Sequence, residues 1–111
     1  MLGSPAEVTA ISLSRAGIDG RLGAINFSAL PSLRHVDLSH NCLRGEIPAA
    51  VASLRGLAYL DLAENWLRGR IPPEAGGMRR LAHLDLSTNN LIGCIPASLE
   101  NLTALAFLAL Q

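Results

Sequence analysis

A unit of about 24 residues repeats along most of this chain, and this repeat limits the possible folds more than any other feature. The segment DLSHNCLRGEIP begins at Asp37, and close copies begin at Asp61 and Asp85. A weaker first copy, VTAISLSRAGIDGRL, begins at Val8 and is one residue out of the 24-residue spacing. Because one short unit cannot bury its own apolar face, successive units must stack on one another. The repeat therefore predicts a solenoid.

Each part of the unit indicates one part of a coil. In LRHVDLSHN, the alternation of Val36 and Leu38 with polar residues is typical of a short strand with one buried face. The next residues predict a Gly turn, a second extended stretch that ends at Pro, and a return along the convex side in AAVASLRGL. The Asn after each strand is expected to satisfy backbone groups of its own coil and of the next coil. This predicted structural ladder consists of Asn41, Asn65 and Asn89.

Composition excludes several functional classes. The 111 residues have zero formal net charge, so neither a nucleic acid nor an anionic membrane is the expected partner. No apolar run approaches the roughly 18 residues that a membrane span needs, so we predict no membrane insertion by these residues. The opening MLGSPAEVTA lacks the basic and apolar regions of a signal peptide.

The full unit, L-x-x-L-x-L-x-x-N-x-L-x-G-x-I-P, resembles the plant-specific class of leucine-rich repeat, which is found in receptor-like kinases, receptor-like proteins and polygalacturonase-inhibiting proteins. The resemblance implies an α/β repeat fold: a right-handed solenoid with a short parallel sheet on its concave face and an irregular or 3-10 helical convex side. We expect an N-terminal tail at 1–7 and a repeat domain at 8–111, with coils of about 25, 24, 24 and 24 residues and a truncated last strand. The closely spaced Cys pair of the family's N-terminal cap and any kinase motif are absent, so we interpret the chain as an ectodomain fragment that is uncapped at both ends.

Outward positions on the predicted strands supply the candidate binding residues. Neighbouring strands lie about 4.8 Å apart, so equivalent side chains form columns across the concave face. One column carries rings of differing chemistry and the next a ladder of carboxylates, which favours contact with a peptide or protein. An ordinary amphipathic sheet face and simple copying of the repeat explain the same columns, so these alternatives stay open. The candidate residues are His35, Asp37, Tyr59, Asp61, His83, Asp85 and Phe107.

A catalytic role is not expected. Adjacent ladder carboxylates such as Asp37 and Asp61 have the spacing of a retaining glycosidase, but a solenoid face offers no deep apolar pocket to separate their pKa values. His35 and His83 are expected about 10 Å apart, two strand spacings, which is too far for two ligands of one zinc ion. We therefore predict no catalytic residue, no metal and no cofactor.

Cysteine pairing and N-x-S/T sequences are the two features of the chain that relate to secretion. Cys42 and Cys94 occupy non-equivalent positions two coils apart, so we predict two free thiols. Asn26 and Asn101 begin N-x-S/T sequences in turn regions and are candidates for glycosylation.

The sequence thus predicts a non-catalytic protein- or peptide-binding module. The resemblance implies part of a plant cell-surface receptor for signal or defence perception, at the extracellular face of the plasma membrane or in the apoplast as part of a longer protein. The expected partners are a peptide or protein ligand, a co-receptor and further repeats of the same chain. Two alternatives stay open: a polygalacturonase-inhibitor-like binder of cell-wall-degrading enzymes, and a truncated scaffold fragment without its own ligand.

Overall fold

Short strands and short 3-10 helices alternate along the chain, as the computed structural model shows for residues 7–111. The predicted tail at 1–7 lies outside the described residues except for Glu7. The strands are β1 (Ala10–Ser12), β2 (Asp19–Arg21), β3 (His35–Asp37), β4 (Cys42–Glu46), β5 (Tyr59–Asp61), β6 (Trp66–Gly69), β7 (His83–Asp85), β8 (Asn90–Leu91) and β9 (Phe107–Ala109). The 3-10 helices are η1 (Leu22–Ala24), η2 (Phe27–Ala29), η3 (Ala49–Ser53), η4 (Pro73–Gly77) and η5 (Ala97–Asn101).

The first strand of every coil belongs to one parallel sheet, in the order β1-β3-β5-β7-β9. Its register follows the repeat, since Val36 lies opposite Leu60, and Leu60 lies opposite Leu84. These three side chains point into the stack and are at most 4% exposed. A slip by one residue would turn all of them towards solvent, so their burial specifies the register. This sheet forms the concave face.

The convex side is built from 3-10 turns because each return segment is short, and η3, η4 and η5 each begin after a proline. Pro48 has φ −72° and ψ 143°, which is extended backbone, and η3 starts at the next residue. Val51, Leu54 and Leu57 then face the core and are at most 3% exposed, as their spacing predicts. The predicted fold class is confirmed.

The second strands form a separate parallel sheet on the side of the solenoid, in the order β2-β4-β6-β8. Here the pairing departs from the repeat: Glu46 lies opposite Arg68 rather than the equivalent Arg70. Glu46 and Arg70, which are equivalent in the repeat, form no ion pair among the described residues. A slip of two residues keeps every side chain on its own face of the sheet, so the apolar pattern permits it.

The asparagine ladder satisfies backbone groups, but in the direction opposite to the expected one. Asn65 Oδ1 accepts from the Leu43 N–H at 3.0 Å, and its Nδ2 donates to the carbonyl oxygens of Leu38 at 3.0 Å and Leu62 at 3.1 Å. Leu38 and Leu43 belong to the preceding coil, so the amide joins its own coil to the one before it. Asn89 repeats this arrangement, accepting from the Leu67 N–H.

Candidate functional site on the concave face

Four rings lie face to face along the concave sheet, because the same outward position of four neighbouring strands carries a ring. The His35 and Tyr59 ring centroids are 4.2 Å apart, Tyr59 and His83 are 4.1 Å apart, and His83 and Phe107 are 4.4 Å apart. The interplanar angles are 10°, 10° and 6°. The sequence predicts this column, and the strand register produces it. We call these four residues the ring column.

The carboxylates form a second row beside the ring column. Asp37 lies opposite Asp61, and Asp61 lies opposite Asp85. Each Oδ1 accepts a local bond at the strand end: Asp37 accepts from the Ser39 N–H at 3.0 Å and from its hydroxyl at 2.6 Å, and Asp85 does the same with Ser87. We call these three residues the aspartate ladder. One oxygen of each member thus shapes the turn, which explains why the repeat keeps Asp there.

Burial, together with the neighbouring carboxylates, raises the pKa of two groups on this face. Burial raises the pKa of the Asp61 carboxyl, the charges of Asp85 and Asp37 raise it further, and the hydrogen bond from the Ala63 N–H opposes the shift. Burial also raises the pKa of the Tyr59 hydroxyl, with added contributions from the three ladder carboxylates. A neighbouring cation would relieve both effects, because it would favour the charged forms.

His83 is the junction between the ring column and the aspartate ladder. Its ring and the carboxylates of Asp61 and Asp85 each offer a donor atom within 4.8 Å of the other two, and all three residues are half-buried. The Nε2 atom of His83 is shielded from solvent and has no hydrogen-bond partner. This grouping was not predicted, because the prediction of no metal rested on the distance between His35 and His83. An imidazole nitrogen and two carboxylates are groups that can relay a proton or bind a divalent cation. The absence of a metal at this site stays a prediction.

Comparison with known proteins decides the family. Residues 7–67 match the profile described as leucine rich repeat, and residues 80–102 match a second profile with the same description. The chain belongs to the leucine-rich repeat family. No curated protein sequence matches it.

Several solved structures of plant receptors resemble this chain over most of its length. One is the ectodomain of the plant membrane receptor kinase GASSHO1/SCHENGEN3 from Arabidopsis thaliana, in complex with CASPARIAN STRIP INTEGRITY FACTOR 2. It is 38% identical to this chain and superposes with a TM-score of 0.89, and the match covers 95% of this chain and 12% of that chain. The plant peptide hormone receptor RGFR1, in complex with RGF2, is 32% identical with a TM-score of 0.89, over 93% and 16%. The BIR2 ectodomain from Arabidopsis thaliana is 34% identical with a TM-score of 0.84, over 89% and 52%.

These comparisons confirm the predicted likeness to plant receptor ectodomains. The chain spans between 12% and 52% of the length of these three structures. The matched regions are leucine-rich repeat ectodomains, which are ligand-binding modules and not enzymes, and the prediction that this segment is non-catalytic agrees with them. Among residues 7–111, no helix is long and apolar enough to cross a membrane.

The remaining predicted residues lie away from the concave face of this leucine-rich repeat. Cys42 and Cys94 are exposed and unbridged, as predicted. Asn26 and Asn101 are both exposed, so their side chains are open to solvent. Their glycosylation and the ligand-binding role of the concave residues stay predictions.

Proposed function

We propose that this leucine-rich repeat segment binds an extended peptide or a protein loop on its concave face, as part of a plant cell-surface receptor. The ring column is the observation that carries the proposal. Stacked rings form a rigid, amphipathic ridge that loses little side-chain entropy when a partner covers it. A ligand laid across the strands would meet Tyr59 and His83 at the centre of the ridge.

The aspartate ladder adds a requirement on the ligand. No Lys or Arg occurs in the five strands of the concave sheet, so histidines are the only basic side chains beside the three ladder carboxylates within it. Burial is the main cause of the raised pKa of the Asp61 carboxyl, and the neighbouring charges of Asp85 and Asp37 raise it further. A ligand with a Lys or Arg side chain beside the ring column would reduce the repulsion among these charges, and this favours a basic residue at the centre of the ligand.

The likeness to receptors in complexes supports the same class of partner. The GASSHO1/SCHENGEN3 and RGFR1 structures contain CASPARIAN STRIP INTEGRITY FACTOR 2 and RGF2, respectively, and RGFR1 is described as a peptide hormone receptor. A complex of BIR3 with SERK2 also matches this chain, at 33% identity and a TM-score of 0.76. A peptide ligand and a partner ectodomain are therefore the two partners that we propose.

Selection from a display library of random short peptides tests the concave site. Peptides enriched on the 111-residue chain are expected to be lost on the double variant Tyr59→Ala, Asp61→Asn and to be retained on Arg55→Gln, an exposed change on the convex side. Circular dichroism must show that the double variant is folded. Equal enrichment on the parent chain and the concave variant would overturn the proposed site.

An extracellular location has a separate test. Directing the chain through a plant secretory pathway with an added leader is expected to yield glycan at Asn26 and Asn101, which amidase treatment removes with a loss of mass. Asn26→Gln and Asn101→Gln serve as controls for each site. Complete absence of glycan on the secreted protein would contradict this part of the proposal.

A further inference from the structure

The lateral sheet leaves a groove whose charge is opposite to that of the concave face. Two adjoining cavities of about 460 and 450 Å³ run along this side and share Glu46 and Arg68 as walls. We call their combined length the lateral groove. Three guanidinium groups line it together with one carboxylate. The charged residues are Arg21, Arg68, Arg70 and Glu46.

The arginines of the lateral groove are not used by the fold as ion pairs. Arg44, their neighbour on β4, pairs with Asp19 at 2.6 Å. Among the described residues, no carboxylate oxygen lies within 4.0 Å of the side-chain nitrogens of Arg21, Arg68 or Arg70. Guanidinium groups present planar pairs of donors that match carboxylates, so these side chains are available to an anionic partner.

The slip of the lateral sheet and its glycines create this arrangement. Gly69 has φ +80°, and a Cβ atom there would lie 2.8 Å from Cγ of Glu46, so the Glu46 side chain lies over the next coil's glycine. Arg21 lies over Gly45 in the same way, with its Cγ 3.6 Å from the position of a Cβ. These side chains are laid along the stack from coil to coil, and they line a continuous surface.

Exposed apolar side chains flank the arginines. Trp66 and Ile92 are each 64% exposed, which is unusual for such large apolar groups. Ile92 lines the lateral groove, and Asn90 is shared between the groove and a further cavity of about 310 Å³ that Trp66 lines. The cationic surface is therefore continuous with an apolar one.

We infer that the lateral groove binds an extended acidic segment of a partner protein in which Asp or Glu residues alternate with apolar side chains. The carboxylates would pair with Arg68 and Arg70, and the apolar side chains would cover Trp66 and Ile92. A polyanionic sugar would satisfy the guanidinium groups but would leave Ile92 uncovered, so the apolar part of the surface favours a polypeptide. This partner is chemically opposite to the basic ligand proposed for the concave face.

Trp66 makes a direct test possible because it is the only tryptophan in the chain. A short synthetic peptide of alternating Asp and Leu is titrated into the 111-residue chain, and tryptophan emission and heat of binding are recorded. Emission is expected to shift to shorter wavelength as the peptide covers the indole ring. The comparison ligands are an alternating Asp and Ser peptide, an alternating Lys and Leu peptide, and polygalacturonate.

Matched charge variants locate the site. Arg68→Gln with Arg70→Gln is expected to raise the Kd about tenfold or more, a loss of about 1.4 kcal/mol. Arg79→Gln with Arg80→Gln removes the same charge from the exposed turn after η4 and is expected to change the Kd by about twofold at most, as rim charges do. Tyr59→Ala should leave binding of the Asp and Leu peptide unchanged, so this inference and the concave-site proposal fail independently.

Three results would overturn the inference. The first is the absence of both an emission shift and a heat of binding with the Asp and Leu peptide. The second is an equal loss of affinity in the two arginine double variants, which would show attraction to net charge alone. The third is binding of polygalacturonate or of the Asp and Ser peptide as tight as that of the Asp and Leu peptide, which would assign the groove to polyanions in general.

Discussion

Replacing Asn65 with Ala removes a side chain that joins two coils and is only 6% exposed. The Leu43 N–H loses its acceptor, and an unsatisfied buried donor costs about 1–3 kcal/mol. The carbonyl of Leu38 also loses its donor, which adds about 0.5–1.5 kcal/mol. We expect the free energy of unfolding to fall by about 1.5–4.5 kcal/mol in total. At an unfolding entropy of about 2.1 cal/mol/K per residue, this lowers the Tm of a chain of this length by about 6–19 °C.

Circular dichroism during thermal and urea unfolding measures this loss. Asn90→Ala is the matched control, because Asn90 is an exposed amide in the next coil, and we expect a change of at most about 0.5 kcal/mol. Asn65→Asp sharpens the test: the carboxylate still accepts from Leu43 but faces carbonyl oxygens where Nδ2 donated, so we expect it to be less stable than the Ala variant at neutral pH. A stability of Asn65→Ala within about 0.5 kcal/mol of the parent would refute the role assigned to the amide.

Three further substitutions test other parts of the structure. Leu62→Asp places an unpaired charge at a fully buried position (0% exposed) and should abolish the cooperative thermal transition, whereas Ile92→Asp, at a 64% exposed position, should retain it. Since the folded-state pKa of Asp61 is raised, ionisation of this carboxyl lowers the stability of the fold at neutral pH. Asp61→Asn should therefore be more stable than the parent at pH 7. The difference, measured by urea unfolding, should vanish below the ordinary Asp pKa of 3.8. A constant difference across that range would contradict the assignment. Gly45→Ala, at φ +82° and with the nearest atom 3.6 Å from its Cβ position, should lose about 1–2 kcal/mol from left-handed strain. Gly77→Ala, with open space around its Cβ position, should change stability little, and equal Tm values for the two variants would exclude backbone strain as the cause.

The concave face was predictable because its register is tied to burial. Val36, Leu60 and Leu84 must all enter the core, and this fixes the outward side chains between them into columns. The lateral sheet was not predictable in the same way. Its slip of two residues, which places Glu46 beside Arg68, leaves every inward residue inward, so the repeat pattern is the same with or without it.

The closest contacts of the candidate site also depend on information that the repeat does not contain. The repeat predicts which rings share a column, whereas their stacking depends on side-chain rotamers. His83 meets Asp61 across a diagonal between two strands, so the two residues do not occupy equivalent positions of the repeat. The stacking of the rings has no signal in the linear order of residues, whereas the diagonal follows from the register of the two strands.

The direction of the asparagine bonds determines the order in which coils become protected during synthesis. Since the Leu67 N–H obtains its acceptor only from Asn89, the coil that contains Leu67 is finished only after the following coil has emerged and folded onto it. The newest coil on the ribosome is therefore always the least protected, and stability advances from the N-terminal side one coil behind translation. Amide hydrogen exchange tests this order: Asn89→Ala should accelerate exchange of the Leu67 amide, one coil away, and acceleration confined to the coil of Asn89 itself would contradict it.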